Sequence, residues 1–202
     1  TIVFKGNASV RNSGYMKVTC NGAIQVEGNS TFEQNGSIDV ADGSFGVTGD
    51  AVFRNSGTLN ADEGEITFEG NVTIANNGGT INAGGSTIYF SGGTFDNSGT
   101  FDPGTSTFIF NGDGQQEITG KNSDITFYNL TVEDGSDVYS DQNVLVSNDM
   151  TVDGNGEFVV EPGKTLDVIG NLNGDTNINT NRPYIIVITT NSANSITAVF
   201  NE

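Results

Sequence analysis

The sequence predicts an all-β fold, a single-stranded parallel β-solenoid (β-helix) with triangular coils. Three observations predict it: the composition favours strands and turns, large apolar residues recur about every 21 residues, and Gly and Asn return at the same places in each repeat. In a solenoid, equivalent residues of successive coils stack in columns. One residue class is therefore expected to return with one period.

The composition is that of a turn-rich β protein rather than a disordered chain. The 202 residues include 28 Gly, 26 Asn and 13 Phe, and hydrophobic residues make up 34% of the chain. Phe, Val and Ile favour strands, whereas Gly and Asn favour tight turns. A chain of this length can bury a sizeable core.

Charge and missing residue types restrict the function. With 7 Lys+Arg against 25 Asp+Glu, the net charge of -18 argues against nucleic acid and anionic membranes as partners. The chain has no His and a single cysteine, Cys20, so His-based catalysis, His-ligated metals and an internal disulfide are excluded by count. No apolar run is long enough to predict direct membrane insertion.

The first strand of each repeat is marked by two large apolar residues, two positions apart. Alternate residues of a strand share a face, so each pair predicts one buried face of a short strand. Successive pairs are 20 to 22 residues apart. The six pairs are Ile2/Phe4, Ile24/Val26, Phe45/Val47, Ile66/Phe68, Ile88/Phe90 and Phe108/Phe110.

Two more strands and their corners complete each repeat. Turn formers separate the strands, because Gly and Asn tolerate the positive φ of a tight corner. The second strand is marked by Val10, Phe32, Phe53, Ile74 and Phe95, and the third by Met16, Ile38, Leu59, Ile81 and Phe101. The corners hold Gly28-Asn29, Gly49-Asp50 and Gly70-Asn71, then Asn12-Ser13-Gly14, Asn55-Ser56-Gly57 and Asn97-Ser98-Gly99.

The period decides between a solenoid and an antiparallel sandwich or barrel. A sandwich also has frequent turns, but it has no reason to repeat residue classes in register at this period. We therefore predict three strands per coil and a core of stacked Phe, Ile, Val and Leu. Parallel crossovers favour a right-handed winding.

Beyond Phe110 the pattern changes spacing but continues. The pairs Ile125/Phe127, Val144/Val146 and Leu166/Val168 extend the first column, giving about nine coils of mostly 20–22 residues and a rod on the order of 43 Å long. A short coil between Phe110 and Phe127 places Gly112 to Gln116 in an irregular corner.

The last residues differ from the repeats. Residues 1–180 are predicted to form the solenoid, and residues 181–202 to form terminal strands that close or join its end. Pro183 to Ile188 is a continuous apolar run, typical of burial on both faces, and it would act together with Ile196 to Phe200. Since the first coil has no comparable segment, we expect the natural protein to continue on the N-terminal side.

Calcium is the candidate ion. The best loop match places side-chain oxygens at alternate positions, at Asn111, Asp113, Gln115 and Glu117. Asp153 to Glu157 is a second match. Neither segment matches an EF-hand or a Gly-rich nonapeptide array, so ordinary turns stabilised by Asn and Asp remain the alternative.

A polar face is the second candidate site. Thr58, Thr80 and Thr100 are predicted to form one outward column, and Asn60, Asn82 and Asp102 to form the next. Such a face could lie against a polysaccharide, although Thr and Asn are also what solvent-facing solenoid strands commonly use.

No enzyme activity is expected. Glycoside hydrolysis needs two carboxyl groups converging across a groove, and the sequence displays no Asp-Asp pair. Elimination would need a basic residue beside bound calcium, but the seven cations are scattered over different coil positions. A polysaccharide-degrading β-helix enzyme is the remote alternative.

The repeats resemble those of large secreted surface proteins of Bacteroidetes-type bacteria. The segments that carry the resemblance are Gly99 to Gly112, Gln116 to Gly120 and Phe127 to Val132, and it is strongest over residues 45–172. Those proteins are β-solenoid stalks and adhesin-like exoproteins, many exported by the type IX route. The tail is similar to the closing segment of autotransporter-type solenoids.

The resemblance implies an extracellular location on a bacterial cell surface and brings no catalytic residue. We therefore predict a structural and adhesive protein, a secreted stalk or fibre subunit that associates end to end or with neighbouring repeats. The alternative is a domain that binds carbohydrate or another ligand with calcium. A structural rod predicts end-to-end contacts, whereas an adhesin predicts a groove or flat face with saccharide affinity.

Overall fold

The computed structural model describes residues 1–122 and 124–174, and beyond them three short strands, Ile178–Thr180, Val187–Ile188 and Val199–Phe200. Every regular element in this part of the chain is a β-strand, and all strand pairs are parallel. The strands are numbered β1 to β28 in chain order. They form three faces of a solenoid, which confirms the predicted fold class.

The first face is a nine-stranded sheet to which each coil contributes one strand. Its strands are β1 (Ile2–Lys5), β4 (Ala23–Glu27), β7 (Ser44–Thr48), β10 (Glu65–Glu69), β13 (Thr87–Phe90), β16 (Thr107–Phe110), β19 (Asn129–Val132), β22 (Met150–Val152) and β25 (Leu172–Gly174).

The second face is a ten-stranded sheet. Its strands are β2 (Ser9–Asn12), β5 (Thr31–Gln34), β8 (Val52–Asn55), β11 (Thr73–Asn76), β14 (Thr94–Asp96), β17 (Gly114–Thr119), β20 (Ser136–Ser140), β23 (Glu157–Val160), β26 (Ile178–Thr180) and β28 (Val199–Phe200).

The third face consists of a five-stranded and a four-stranded sheet. The first contains β3 (Tyr15–Lys17), β6 (Ser37–Asp39), β9 (Thr58–Asn60), β12 (Thr80–Asn82) and β15 (Thr100–Asp102). The second contains β18 (Asp124–Phe127), β21 (Asn143–Val146), β24 (Leu166–Val168) and β27 (Val187–Ile188). Phe101 and Phe127 still touch across the break, with ring centroids 5.6 Å apart.

The register confirms the period but corrects the coil count. Strand pairing links Phe110 to Val132 and then to Val152, not to Phe127. The pairs Ile125/Phe127, Val144/Val146 and Leu166/Val168, predicted to extend the first column, all lie on the third face. Counting Ile125/Phe127 as the start of a new coil was wrong, since paired Val, Ile, Leu or Phe mark both faces. Residues 1–168 make eight complete coils, and the spacing between paired first-face residues stays at 20 to 22 throughout.

The core is a continuous apolar column inside the three faces. Phe32, Phe45, Phe53, Phe90 and Phe110 are fully buried. Neighbouring rings are in contact: the ring centroids of Phe45 and Phe53 are 5.4 Å apart. Fully burying an apolar side chain of this size contributes roughly 1.5–3 kcal/mol, so stacking the same residue class in each coil stabilises every coil in the same way.

Buried amides form a second column at the corner between the second and third faces, here called the amide ladder. It consists of Asn12, Gln34, Asn55, Asn76 and Asn97. The Nδ2 atom of Asn76 donates to Asn97 Oδ1 at 2.9 Å and to the Thr100 carbonyl at 3.0 Å, and Asn55 Nδ2 donates to Asn76 Oδ1 at 3.0 Å. The sequence marked Asn12, Asn55 and Asn97 as turn formers only. The side chains of Asn12 and Asn55 also donate to backbone carbonyls of the following coil, those of Ser37 and Thr80.

The corner between the first and second faces requires glycine in the early coils. Gly6, Gly28, Gly49 and Gly70 all have positive φ, between 84° and 100°. A Cβ atom added at Gly49 would lie 3.1 Å from the backbone of Gly28. The backbone conformation therefore disfavours larger residues at all four positions, and the close stacking of coils adds to this at Gly28, Gly49 and Gly70.

Candidate functional site

The predicted calcium residues lie at the first corner of the sixth coil. Asn111 and Asp113 belong to the connection between β16 and β17, and Gln115 and Glu117 lie on β17. Gln115 and Glu117 point outward side by side, and Gln115 Nε2 donates to Glu117 Oε1 at 3.0 Å. Asn111, Asp113 and Gln115 line a groove that Glu117 does not line. The predicted irregular corner is thus real, although Gly114 to Gln116 begin a regular strand.

A step in the second face creates this groove. Phe90 pairs with Phe110 on the first face, but on the second face Thr94 pairs with Glu117. The sixth coil therefore has three more residues at this corner than the fifth. The fifth coil's corner, Ser91-Gly92-Gly93, lies between two coils that project further, which leaves a groove of about 540 Å³, here called the corner groove.

Polar groups line the corner groove from three successive coils. The fourth coil contributes Glu69, Gly70 and Asn71, the fifth contributes Ser91, Gly92 and Gly93, and the sixth contributes Asn111, Gly112, Asp113, Gln115 and Gln116. Ser91 Oγ accepts a hydrogen bond from the Gly70 amide at 3.1 Å.

Gln116 forms the wall of the groove. Its side chain is buried. Its Nε2 atom donates to the carbonyls of Phe90 at 2.7 Å and Gly92 at 3.1 Å, and its Oε1 accepts from the Gly112 amide at 3.2 Å. The amide thus links the corner of the fifth coil, through the Phe90 and Gly92 carbonyls, to the corner of the sixth, through the Gly112 amide.

Two hollows on the first face adjoin the corner groove. One, of about 240 Å³, is lined by Thr67, Tyr89, Ser91 and Asn111 among others. The other, of about 220 Å³, lies over Gly46, where the outward column lacks a side chain. Glu69 lines both hollows and the corner groove. Together they make an indented polar surface across the second to sixth coils.

The third face shows the two predicted outward columns. Thr58, Thr80 and Thr100 are in register, and Asn60, Asn82 and Asp102 follow in the next column. Asn82 Nδ2 donates to Asn60 Oδ1 at 2.7 Å. The predicted register is confirmed, while ligand binding by this face stays a prediction.

The same column continues into a charged cluster in the first three coils. Tyr15 OH donates to Asp39 Oδ2 at 2.8 Å, and Lys17 Nζ lies 3.0 Å from the same oxygen. Hydrogen bonds from Lys17 and then from Tyr15 lower the pKa of Asp39. Partial burial and then the neighbouring Asp39 carboxylate raise the pKa of Asp62. Asp39 Oδ1 is buried without a hydrogen-bond donor.

The remaining candidate residues take ordinary turn roles. In the second calcium match, the Gly156 amide donates to the Asp153 carbonyl and the Asn155 amide donates to Asp134 Oδ1. Cys20 is exposed, with φ of 52°, and its amide donates to Asp42 Oδ1 at 2.7 Å. The predicted closing segment, residues 181–202, lies outside the described residues except for β27 and β28.

Two features are absent from the part of the chain that the structure describes. None of the described residues form a group of three or more His, Cys, Asp or Glu side chains placed to hold a metal ion. In the same part of the chain there is no helix of the length and apolarity needed to cross a membrane.

Sequence reasoning missed Glu69, because it belongs to an earlier repeat than Asn111 to Gln115, and it found no column for Tyr89, which the register places between Thr67 and Ile109. Only the stacking of coils brings them together. One signal could have found the groove: eight positions separate Phe110 from Ile118, whereas five separate the equivalent Phe90 and Phe95.

The fold and the grooved surface define the class of this chain as a parallel β-solenoid repeat protein. Comparisons with protein-family models, with curated proteins and with solved structures find no match for the chain.

Proposed function

We propose that this chain is a structural and adhesive element of a bacterial cell surface, a secreted β-solenoid that serves as a stalk or fibre subunit. The observation that carries the proposal is the unbroken first face, in which nine strands from successive coils pair in parallel. Each coil bonds to the coils before and after it and repeats the same buried columns. Such a stack extends in one dimension, which suits a spacer or a filament.

The exposed end of the first coil supports contacts between rods. Strands β1, β2 and β3 are the outermost strands of their sheets, so each has a partner on one side only. Ile2 is 51% exposed and Tyr15 is 64% exposed at this end. Edge strands with exposed apolar residues favour pairing with further strands. We propose that the partner is a neighbouring repeat of the same protein or a second copy.

The charge supports end-to-end rather than lateral contacts. The net charge of -18 makes the sides of two rods repel each other at low ionic strength. Divalent cations would weaken this repulsion. We therefore expect calcium to change how rods bundle more than how they join at their ends.

Electron microscopy of the purified protein, with and without millimolar calcium, tests the fibre subunit. We expect end-to-end fibres, and we expect Ile2→Lys at the rod end to shorten them. The control is Asn77→Lys, at an exposed residue of the fourth coil, in the middle of the described coils. Isolated short rods in both conditions would contradict the fibre proposal.

Protease treatment of intact producing cells tests the location, since a surface protein is cleaved and an internal one is protected.

A further inference from the structure

We propose that the corner groove binds a neutral oligosaccharide. The proposal rests on three features of the described residues: a step in the sheet that exposes backbone groups, a convergence of planar polar side chains, and an aromatic side chain in the adjoining hollow. It does not depend on the rod's proposed structural role.

The step leaves part of β17 with a partner strand on one side only. Gly114 to Gln116 pair with β20, but β14 begins opposite Glu117. The Glu117 amide donates to the Gly93 carbonyl of the fifth coil. Backbone groups of alternate residues in a parallel strand point to the same side, so Gln115 directs its N–H and C=O toward the fifth coil as well. These groups face the corner groove, where no strand lies beside them.

The side chains around the groove offer both donors and acceptors. Glu69 and Asp113 provide carboxylates, and Asn71, Asn111 and Gln115 provide amides, which donate and accept at once. All five side chains are exposed. A sugar ring presents hydroxyl groups that likewise donate and accept, on several carbons at once. The volume of about 540 Å³ falls within the range of roughly 300–1,000 Å³ that is usual for small-molecule sites.

Tyr89 supplies the aromatic surface. It lies in the outward column of the first face, between Thr67 and Ile109, and lines the hollow that shares Glu69, Ser91 and Asn111 with the corner groove. An aromatic ring with a polar tip can pack against the apolar face of a sugar while its hydroxyl stays hydrated. With one sugar unit in the groove and the next over Tyr89, the site would bind at least two linked units.

Charge and edge length select this ligand class over two others. The carboxylates of Glu69 and Asp113, in a chain of net charge -18, disfavour acidic polysaccharides. An extended peptide needs a longer unpaired edge, because strand addition gains its affinity from several main-chain hydrogen bonds. Here the open edge spans only Gly114 to Gln116. The corner groove is separate from the Thr and Asn columns of the third face. None of those column residues lines the corner groove or either of the two hollows beside it.

A variant that fills the groove tests the proposal. Gly93 has no positive φ, and an added Cβ would meet only Asn71 Oδ1, at 3.3 Å, so Gly93→Gln is expected to fold and to occupy the groove. The matched control is Gly14→Gln, whose Cβ would enter open space at a different corner. Circular dichroism and thermal unfolding verify that both variants keep the fold.

Binding is measured by NMR titration in EDTA against neutral tetra- to hexasaccharides of the cello-, malto-, manno- and chito-oligosaccharide series, with oligogalacturonate as the acidic probe. We expect at least one neutral series to bind, with affinity at least tenfold weaker in Gly93→Gln and unchanged in Gly14→Gln. Tyr89→Ala is expected to weaken longer chains more than shorter ones. The absence of neutral saccharide binding, exclusive binding of the acidic probe, or equal binding by Gly93→Gln would each overturn the proposal.

Discussion

Asn76 lies in the middle of the amide ladder, where one side chain serves three neighbours. It accepts from Asn55 and donates to Asn97 and to the Thr100 carbonyl, and it is fully buried. A buried polar group left without its partner destabilises the fold by the full loss of its hydration. Residues of this kind fix the spacing of coils as well as contributing to stability.

We predict that Asn76→Ala lowers the free energy of unfolding by about 2–4 kcal/mol, since the buried Asn97 oxygen and the Thr100 carbonyl lose the donor that Asn76 provides. Guanidinium-induced unfolding measures the change. The control is Asn77→Ala, at the exposed next residue, which is expected to have little effect. Equal losses for the two variants would show that the ladder does not contribute to stability.

The Asp39 and Asp62 pair makes stability depend on pH in two opposite ways. Because the pKa of Asp39 is lowered, its ionised form contributes stability that is present above its unfolded pKa and lost as the pH falls through its folded pKa. Because the pKa of Asp62 is raised, its ionised form opposes folding above that folded pKa. Removing the Asp62 charge should therefore stabilise the neutral-pH protein.

We predict that Asp62→Asn raises the melting temperature at neutral pH and that this gain disappears as acid protonates Asp62 in the parent protein. Asn suits the site because Asp62 has φ of 50° and Asn tolerates this conformation. Thermal unfolding across the acidic range measures both effects. Asp50→Asn, at an exposed residue of the first corner, is the control for charge removal. A gain that persists unchanged in acid would refute this account of the pair.

At the scale of elements, the glycine column sets how closely coils can approach. Gly28, Gly49 and Gly70 stack with positive φ, so the strands on either side of the corner enter the faces at a fixed angle. The later coils have a different sequence at this corner. The fifth coil has Ser91-Gly92-Gly93 and the sixth has Asn111-Gly112-Asp113. That change coincides with the step between β14 and β17.

We predict that Gly49→Ala destabilises the protein by about 2 kcal/mol, from the positive φ together with the close contact to Gly28. Gly14→Ala is the matched control, because Gly14 has no positive φ and its Cβ would enter open space. That variant should be neutral or slightly stabilising. Urea unfolding of the two variants separates corner geometry from a general effect of glycine loss, and similar values for both would contradict the prediction.

The sequence predicted the first five coils strand by strand because each column keeps one residue class. It failed at the register after Phe110, since Leu130/Val132 on the first face and Ile125/Phe127 on the third are the same kind of pair. Only the strand register tells the two faces apart. For the site, the loop from Asn111 to Glu117 was found from its alternating oxygens, but the groove depends on a neighbouring corner being shorter, which no single repeat reveals.

At the scale of the whole molecule, the eight complete coils of residues 1–168, at about 4.8 Å each, make a rod on the order of 40 Å long. The same cross-section repeats along it, and the corner groove interrupts the surface without breaking the first face. In the proposed function this rod serves as a spacer, and the proposed saccharide site would give it a localised binding surface.

Each repeat adds one coil to the solenoid, so that equivalent residues advance along one axis by a constant step. Gln25, Tyr89, Thr131 and Thr151 belong to one outward column of the first face. Spin labels on cysteines placed at these positions in a Cys20→Ser background allow the distances from Gln25 to be measured by pulsed electron paramagnetic resonance.

The separations from Gln25 to Tyr89, Thr131 and Thr151 span three, five and six coils. We predict distances that rise linearly to about 29 Å between the labelled backbones at Gln25 and Thr151. Distances that do not grow with coil number, or a Thr151 label closer to Gln25 than the Tyr89 label, would contradict the solenoid and the account built on it.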